Sequence, residues 1–348
     1  SGPYAMKESK ATGLPLVSVV VPTYNRAHLV SEAIDSLLAQ TYPNFEVIVV
    51  NDGSSDETET VIKQRYGDRV TYIYQENRGL AGARNTAIRA ARGEYVAFQD
   101  DDDIWLPTKL DKQVRALQEH PECPLAYCAC LEATPEGKST RRLYRASGRG
   151  RTGDNFRLLL ARTVALPSSV VMSKSRLEEF GLFDEELVAS EDSDLFLRVS
   201  LRYPLVYIRE PLVLMREHPD KMSRSNLRAG RIFQAHERIM EKLLSDLPPH
   251  REHLRPAIVR SALWSRLSLL RLRARDLEWR DLADELSQIF RTAEDPRATH
   301  HLSAWTVEAI GEWERTHRSS GTVTSGDCPP SLSRVHRYFP VIASEAQR

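Results

Sequence analysis

The chain has no uninterrupted run of about 18 apolar residues, so no segment reads as a membrane-spanning helix. It carries only four cysteines, Cys123, Cys128, Cys130 and Cys328. Cys128-Ala-Cys130 would be an unusual disulfide and Cys123 lacks the companions of a zinc knuckle, so a reducing cytoplasm is the expected compartment. Charge of one sign is missing too: 48 Lys and Arg balance 48 Asp and Glu, which removes the electrostatic argument for a nucleic-acid partner. Apolar material is not scarce. With 41% hydrophobic residues in 348, the chain can build one large domain with an appendage, or two domains. The opening "SGPYAM" reads as a tag remnant ahead of Met6 and is set aside.

Short β-branched runs alternate with helical stripes. "LVSVVVPTYN" is a buried strand ending in a Pro turn, and "AHLVSEAIDSLLAQ" repeats apolar residues at helical spacing through Leu29, Ala33, Ile34, Leu37 and Leu38. "FEVIVVND" is a second strand, and "SSDETETVIKQRY" opens a helix on a Ser/Asp cap. "VTYIYQ" is a third strand, "LAGARNTAIRAAR" a helix stopped at Gly93, and "EYVAFQ" a fourth strand. This alternation predicts a mostly parallel α/β sheet flanked by helices. In such sheets ligands sit beyond the carboxyl ends of the strands, where "PTYN", "NDGSSD", "ENRG" and "DDDD" all fall.

Further on, "FDEELVASEDSDLFLRV" holds a turn and a helix that begins in acids, and "LVYIREPLVLMREH" reads as one or two strands. From 226 to 318 the pattern is that of several amphipathic helices forming a separate bundle. The expected organisation is an N-terminal remnant (1–14), an α/β domain (15–224), a helical C-terminal domain (225–320) and a loose tail (321–348).

The run Asp100-Asp101-Asp102-Asp103, directly after an apolar strand, needs a physical reason. Two unit charges about 4 Å apart cost about 4 kcal/mol at an effective dielectric near 20. A solvated turn, a helix cap or a hard divalent cation could each account for the run. Its place at the sheet's carboxyl edge favours the cation, completed by water and by substrate phosphates.

"VSVVVPTYNR", "VIVVNDGSSDET", "ENRGLAGARNTAIRAARGEYVAFQDDDDIWLPTKLDKQ" and "FDEELVASEDSDLFLRV" together resemble, in order, the motifs of glycosyltransferase family 2. That resemblance implies the GT-A fold and an inverting transferase that uses a nucleotide sugar, with Mn2+ or Mg2+ as cofactor. It places Pro22, Thr23 and Tyr24 around the base and Asp52 on the imide N–H of uracil. Arg84 and Asn85 would lie near the nucleotide on a helix facing the same cleft, where an Arg could neutralise diphosphate charge. Asp100 would contact the ribose or sugar, Asp102 the metal, Asp103 would support them, and Asp101 fills the variable place. A register shifted by one, Asp101-X-Asp103, is the alternative; the first keeps Trp105, Pro107, Lys109 and Leu110 at the family's usual offsets. Trp105 would form a wall. Asp192 matches the base that takes the acceptor proton, with Glu191 orienting it. Arg216 and His218, in "MREHPDKMS", would come from a loop closing over the diphosphate, His218 as metal ligand or phosphate contact. Ser168 and Ser169, in "ALPSSVV", would line the acceptor groove.

Between Lys138 and Arg162 stand Arg141, Arg142, Arg145, Arg149, Arg151 and Arg157 against a single acid, Asp154. This basic stretch, read as a loop, suggests an anionic acceptor, whether glycan, lipid-linked or peptide. The helical domain could carry a homodimer contact or dock at the inner membrane face. Two other functions compete. An inactive GT-A-like binding module is opposed by the presence of Asp52, Asp102 and Asp192. A sugar-phosphate nucleotidyltransferase would want a Gly-rich phosphate loop, and "VPTYNR" has no glycine.

Overall fold

The computed structural model describes residues 13–273, apart from 163, 219–220, 222–225 and 228, together with 281, 285 and 286. The N-terminal remnant, the tail and almost all of the helical pattern beyond 273 lie outside the described residues.

β1 (Val17–Thr23), α1 (Val30–Leu38), β2 (Phe45–Asp52), α2 (Thr58–Tyr66), β3 (Thr71–Gln75), α3 (Gly79–Ala90) and β4 (Tyr95–Phe98) follow the alternation read from the sequence. β1 pairs with β2 and β4, and β2 with β3, all parallel. The inner strands β1, β2 and β4 are covered on both faces, which is why their runs are largely apolar, whereas the edge strand β3 stays partly exposed. Val17, Val19 and Val21 pack with Ile34 and Leu37 of α1 and Ile62 of α2. Val20 packs on the opposite face with Ala83, Ala87 and Ile88 of α3.

The next strands are less regular. They are β5 (Ile104–Trp105), β6 (Leu125–Ala133), β7 (Ser139–Leu143), β8 (Val170–Ser173) and β9 (Val206–Arg216). The sheet runs β3-β2-β1-β4-β8-β6-β9-β5, with β7 hydrogen-bonded to β6. β8 is antiparallel to both β4 and β6, β9 is parallel to β6, and β5 is antiparallel to β9. The helices of this half are α4 (Lys109–Glu119), α5 (Phe156–Ala161), α6 (Lys174–Glu179) and α7 (Glu191–Arg202). The result is a mixed α/β sheet with flanking helices.

Two local expectations change. Gly93 does not end α3, which stops at Ala90. A Cβ at Gly93 would stand 2.7 Å from both Leu16 O and Ser18 N, so the glycine permits close backbone approach to β1. The start of the arginine-rich stretch is not a loop: "STRRL" is the exposed strand β7.

Contacts divide the chain into two compact units, Ser1–Lys221 and Met222–Arg348. In the second, the helices Arg231–Ser245 and Arg255–Arg273 pack together over buried Ile239, Met240, Leu243, Ile258 and Leu267. His236 Nδ1 lies 2.6 Å from Ser265 Oγ, and burial pushes the imidazole down to about 4. Among the described residues no helix is long and apolar enough to cross a membrane.

Candidate active site

The turns after β1, β2 and β4 lie at one edge of the sheet because their strands are parallel. Pro22 and Thr23 are buried at the end of β1, and the next residue, Tyr24, is 49% exposed. Asp52 ends β2; its Oδ1 accepts hydrogen bonds from Gln75 Nε2 at 2.6 Å and Arg78 N at 2.9 Å. That fixes the carboxylate and leaves Oδ2 as its remaining acceptor. Gly53 follows at φ +82°, and a Cβ there would meet Asn77 N at 2.9 Å, so only glycine fits the turn.

The four aspartates have four different surroundings. Asp100 Oδ1 accepts from Arg84 Nη2 at 2.7 Å. Burial raises its pKa, with the Arg84 cation acting against the rise. Asp101 is pushed up to about 7 by burial and by the charge of Asp102, eased by Thr23 and Arg26. Asp102 is held below the usual carboxylate range: burial opposes this, but His218 and Lys221 outweigh it. Asp103 is almost fully buried, takes a hydrogen bond from Ser168 Oγ at 2.6 Å, and is held well above the usual range by burial and Asp102. The repulsion expected from the sequence is thus spread over partners and protonation rather than left in a solvated turn.

His218 Nε2 and Asp102 Oδ2 are 2.8 Å apart. Two neighbouring ligands of an octahedral ion with bonds of 2.0–2.1 Å lie about 3 Å apart, so this pair fits one edge of such a site. Carboxylate and imidazole are both ordinary donors to divalent ions. Among the described residues no set of three or more His, Cys, Asp or Glu side chains is arranged to hold a metal, so these two donors do not form a closed protein cage.

Glu191 and Asp192 open α7, after Ser190 at φ +61°. Glu191 Oε1 accepts from Arg84 Nη1 at 2.6 Å. Asp192 is pushed up to about 6 by burial and by Glu191, with Arg84 opposing. Its Oδ1 accepts from Ser193 N at 2.7 Å. A carboxylate titrating near 6 is matched to proton abstraction close to neutrality.

Several expected placements are corrected. Arg84 does not face an open cleft: it is 1% exposed and spends both terminal nitrogens on carboxylates. Asn85 is also buried, and its amide exchanges hydrogen bonds with the backbone of Phe183. Arg216 is not on a closing loop. It ends β9, and donates from Nε to Asp102 O at 2.9 Å and from Nη1 to Pro135 O at 2.6 Å. Ser168 and Ser169 line no open groove; both are fully buried, the first under the aspartates and the second closing a turn onto Leu166 O at 2.7 Å. Trp105 is buried beneath the turn, with Lys109 Nζ 3.6 Å from its ring centroid. Ser223, the last residue of the late motif, lies outside the described residues.

Sequence reasoning missed Lys221, whose Nζ donates to Arg216 O at 2.6 Å and lies 3.3 Å from Tyr144 Oη. It also missed the Arg84–Glu191 pair, because the two residues are 107 positions apart.

Comparison with known proteins agrees with this architecture. The family described as "Glycosyl transferase family 2" matches residues 18–181. An uncharacterized glycosyltransferase of Rickettsia typhi is 35% identical over 229 residues, which cover 64% of this chain and 70% of that protein. The chain spans only about a third of the length of several other curated rickettsial relatives it matches. Among solved structures, S. aureus TarS 1-349 in complex with UDP superposes with a TM-score of 0.64 at 19% identity, over 89% of this chain and 94% of that one. The mannosyltransferase PcManGT from Pyrobaculum calidifontis, in complex with GDP-Man and Mn2+, gives 0.52 at 23% identity, over 87% and 88%. At these identities the likeness shows the fold.

Proposed function

Because the chain belongs to glycosyltransferase family 2, we propose that it transfers a sugar from a nucleoside diphosphate to an acceptor hydroxyl or thiol, with inversion at the anomeric carbon. The observation that carries this reading is one guanidinium, Arg84, holding Asp100 at 2.7 Å and Glu191 at 2.6 Å. A donor-side turn and an acceptor-side helix are thereby held side by side.

Asp52 accepts the imide N–H of uracil through its remaining oxygen, Pro22 and Thr23 line the base, and the exposed ring of Tyr24 covers it. Asp100 takes the ribose or sugar hydroxyls. Asp102 and His218 hold a divalent ion, which when bound supplies Lewis-acid stabilisation of charge on the departing diphosphate. Asp192 accepts the acceptor's proton as the new bond to the anomeric carbon forms and the bond to the diphosphate oxygen breaks. Glu191 fixes the start of the helix that carries the base. The complexes of the structural neighbours, TarS with UDP and PcManGT with GDP-Man and Mn2+, support a nucleotide donor and a divalent ion.

An anionic acceptor is the reading for the basic stretch. Arg141, Arg142, Arg145 and Arg149 are all exposed. The residue among them, Tyr144, reaches Lys221, which lies against Arg216 beside the aspartate turn. Replacing Arg141, Arg142 and Arg145 by Ala lowers the transfer rate at low salt on this reading; an unchanged rate removes it.

The decisive experiment is calorimetry of uridine diphosphate binding, with and without Mn2+, on the wild type and Asp102→Ala. Metal-dependent binding that the variant loses supports the donor site. Absence of binding to the wild type, with guanosine and thymidine diphosphates equally silent, overturns the function.

A further inference from the structure

Arg84 sits on α3, almost fully excluded from solvent, with its guanidinium 5.3 Å from the ring centroid of Phe183. Phe183 in turn meets Phe98, the last residue of β4, edge-on at 5.3 Å. The neighbouring Asn85 grips the same segment: its Nδ2 donates to Phe183 O at 2.9 Å and its Oδ1 accepts from Phe183 N at 3.0 Å. Two adjacent residues of one helix therefore hold both ends of the segment 183–191 that delivers Asp192. Between those grips the chain passes through Ser190 at φ +61°, a conformation uncommon for a residue other than glycine. Arg84 also reaches the other way, to Asp100.

We propose that Arg84 is a positioning residue that locks the start of the base-bearing helix to the donor-side turn through one buried cation, rather than a ligand of the diphosphate. The inference rests on the reading of Asp192 as the base. Three observations support it: both terminal nitrogens are committed to carboxylates, the side chain is closed to solvent, and its partners belong to the two elements that must meet for transfer. The charge matters as well as the bridge. The charged groups acting on Asp192 are Glu191 on its own helix, Arg84 on α3 and Asp100 on the turn after β4; of these only Arg84 favours the ionised form. A lysine would keep the charge but offers a compact ammonium in place of a fork, so it cannot reproduce the two-sided bridge.

The test compares Arg84→Met and Arg84→Lys with the wild type, and runs Asp192→Asn as the control on the underlying reading. Loss of transfer in Asp192→Asn with nucleotide binding intact sustains the base; an active Asp192→Asn overturns the base and this inference with it. Given a sustained base, Arg84→Met is expected to bind uridine diphosphate within a few-fold of wild type while kcat falls about 10²-fold, the loss typical of a small misplacement. Its acidic limb in kcat/KM moves to higher pH, because Asp192 has lost its cation. Arg84→Lys keeps the limb near its wild-type position but recovers only part of kcat. If Arg84→Met does not fold, the Lys variant alone decides: a wild-type kcat overturns the bridge. Nucleotide affinity falling in step with kcat makes Arg84 a diphosphate ligand and overturns the proposal. A lower melting temperature with an unmoved limb makes it merely structural, and overturns it too.

Discussion

The two halves of the sheet are built on different principles. β3-β2-β1-β4 is all parallel and in regular register, with β1, β2 and β4 buried and largely apolar, the edge strand β3 partly exposed, and each followed by a polar turn. The half from β8 to β5 mixes directions, and the β6–β9 pairing slips around Ala129 so that partners jump from Ile208 to Pro211 and then Val213. The regular half supplies Asp52 and the aspartate turn. The irregular half supplies Ser168, Arg216 and His218, which hold that turn in place. Local pattern can position a turn at a sheet edge; only long-range packing can decide what surrounds it.

The comparison can be broken at four points. Asp192→Asn should lower kcat/KM by about 10²–10⁴-fold, the usual worth of a general base, with nucleotide binding retained in calorimetry. A wild-type rate would detach α7 from the chemistry altogether. Next in size is pH. The base works ionised and its pKa is pushed up to about 6, so kcat/KM should fall about tenfold per unit as pH drops below that value. A profile flat down to pH 5 would mean that a group with an unshifted pKa takes the proton.

The third concerns the support contributed by the irregular half. Ser168→Ala removes the hydroxyl that donates to buried Asp103 and accepts from Asp100 N. A loss of about 1–3 kcal/mol is expected in denaturant unfolding, because a buried carboxyl loses its donor. The smallest effect belongs to the regular half. Arg92→Ala breaks an ion pair with Glu46 whose arginine side chain is 76% exposed. The carboxylate, 11% exposed, keeps Ser18 Oγ and the backbone N of residue 92 as donors, so the cost should be about 1 kcal/mol in the same assay. Should Arg92→Ala prove the costlier of the two, the irregular half would not be the one that holds the site together.

Much of the site was legible because its residues are local to strand ends. The alternation of β-branched runs and helical stripes is set by side-chain periodicity, which a sequence displays directly. Once four parallel strands follow, their turns must share an edge, so the gathering of Asp52 and Asp100–Asp103 follows from connectivity. The acids at the start of α7 were legible for a similar reason: they precede a clear amphipathic stretch.

The rest depended on which side chains meet across the fold. Nothing near Arg84 in the sequence marks it as buried, since its partners Asp100 and Glu191 lie 16 and 107 positions away. Ser168, Ser169 and Arg216 read as groove or loop residues until β6, β8 and β9 packed around them. β7 carries exposed arginines with no alternating apolar face, so no period betrayed it as a strand. The sequence by itself determined the alternation of strands and helices in the regular half, the edge where the chemistry lies and the residue types offered there. Tertiary structure alone decided which of those charges are neutralised, by whom, and therefore which carboxylate is free to act as a base. A pKa is set by burial and neighbouring charge, and both are properties of the folded arrangement rather than of the chain.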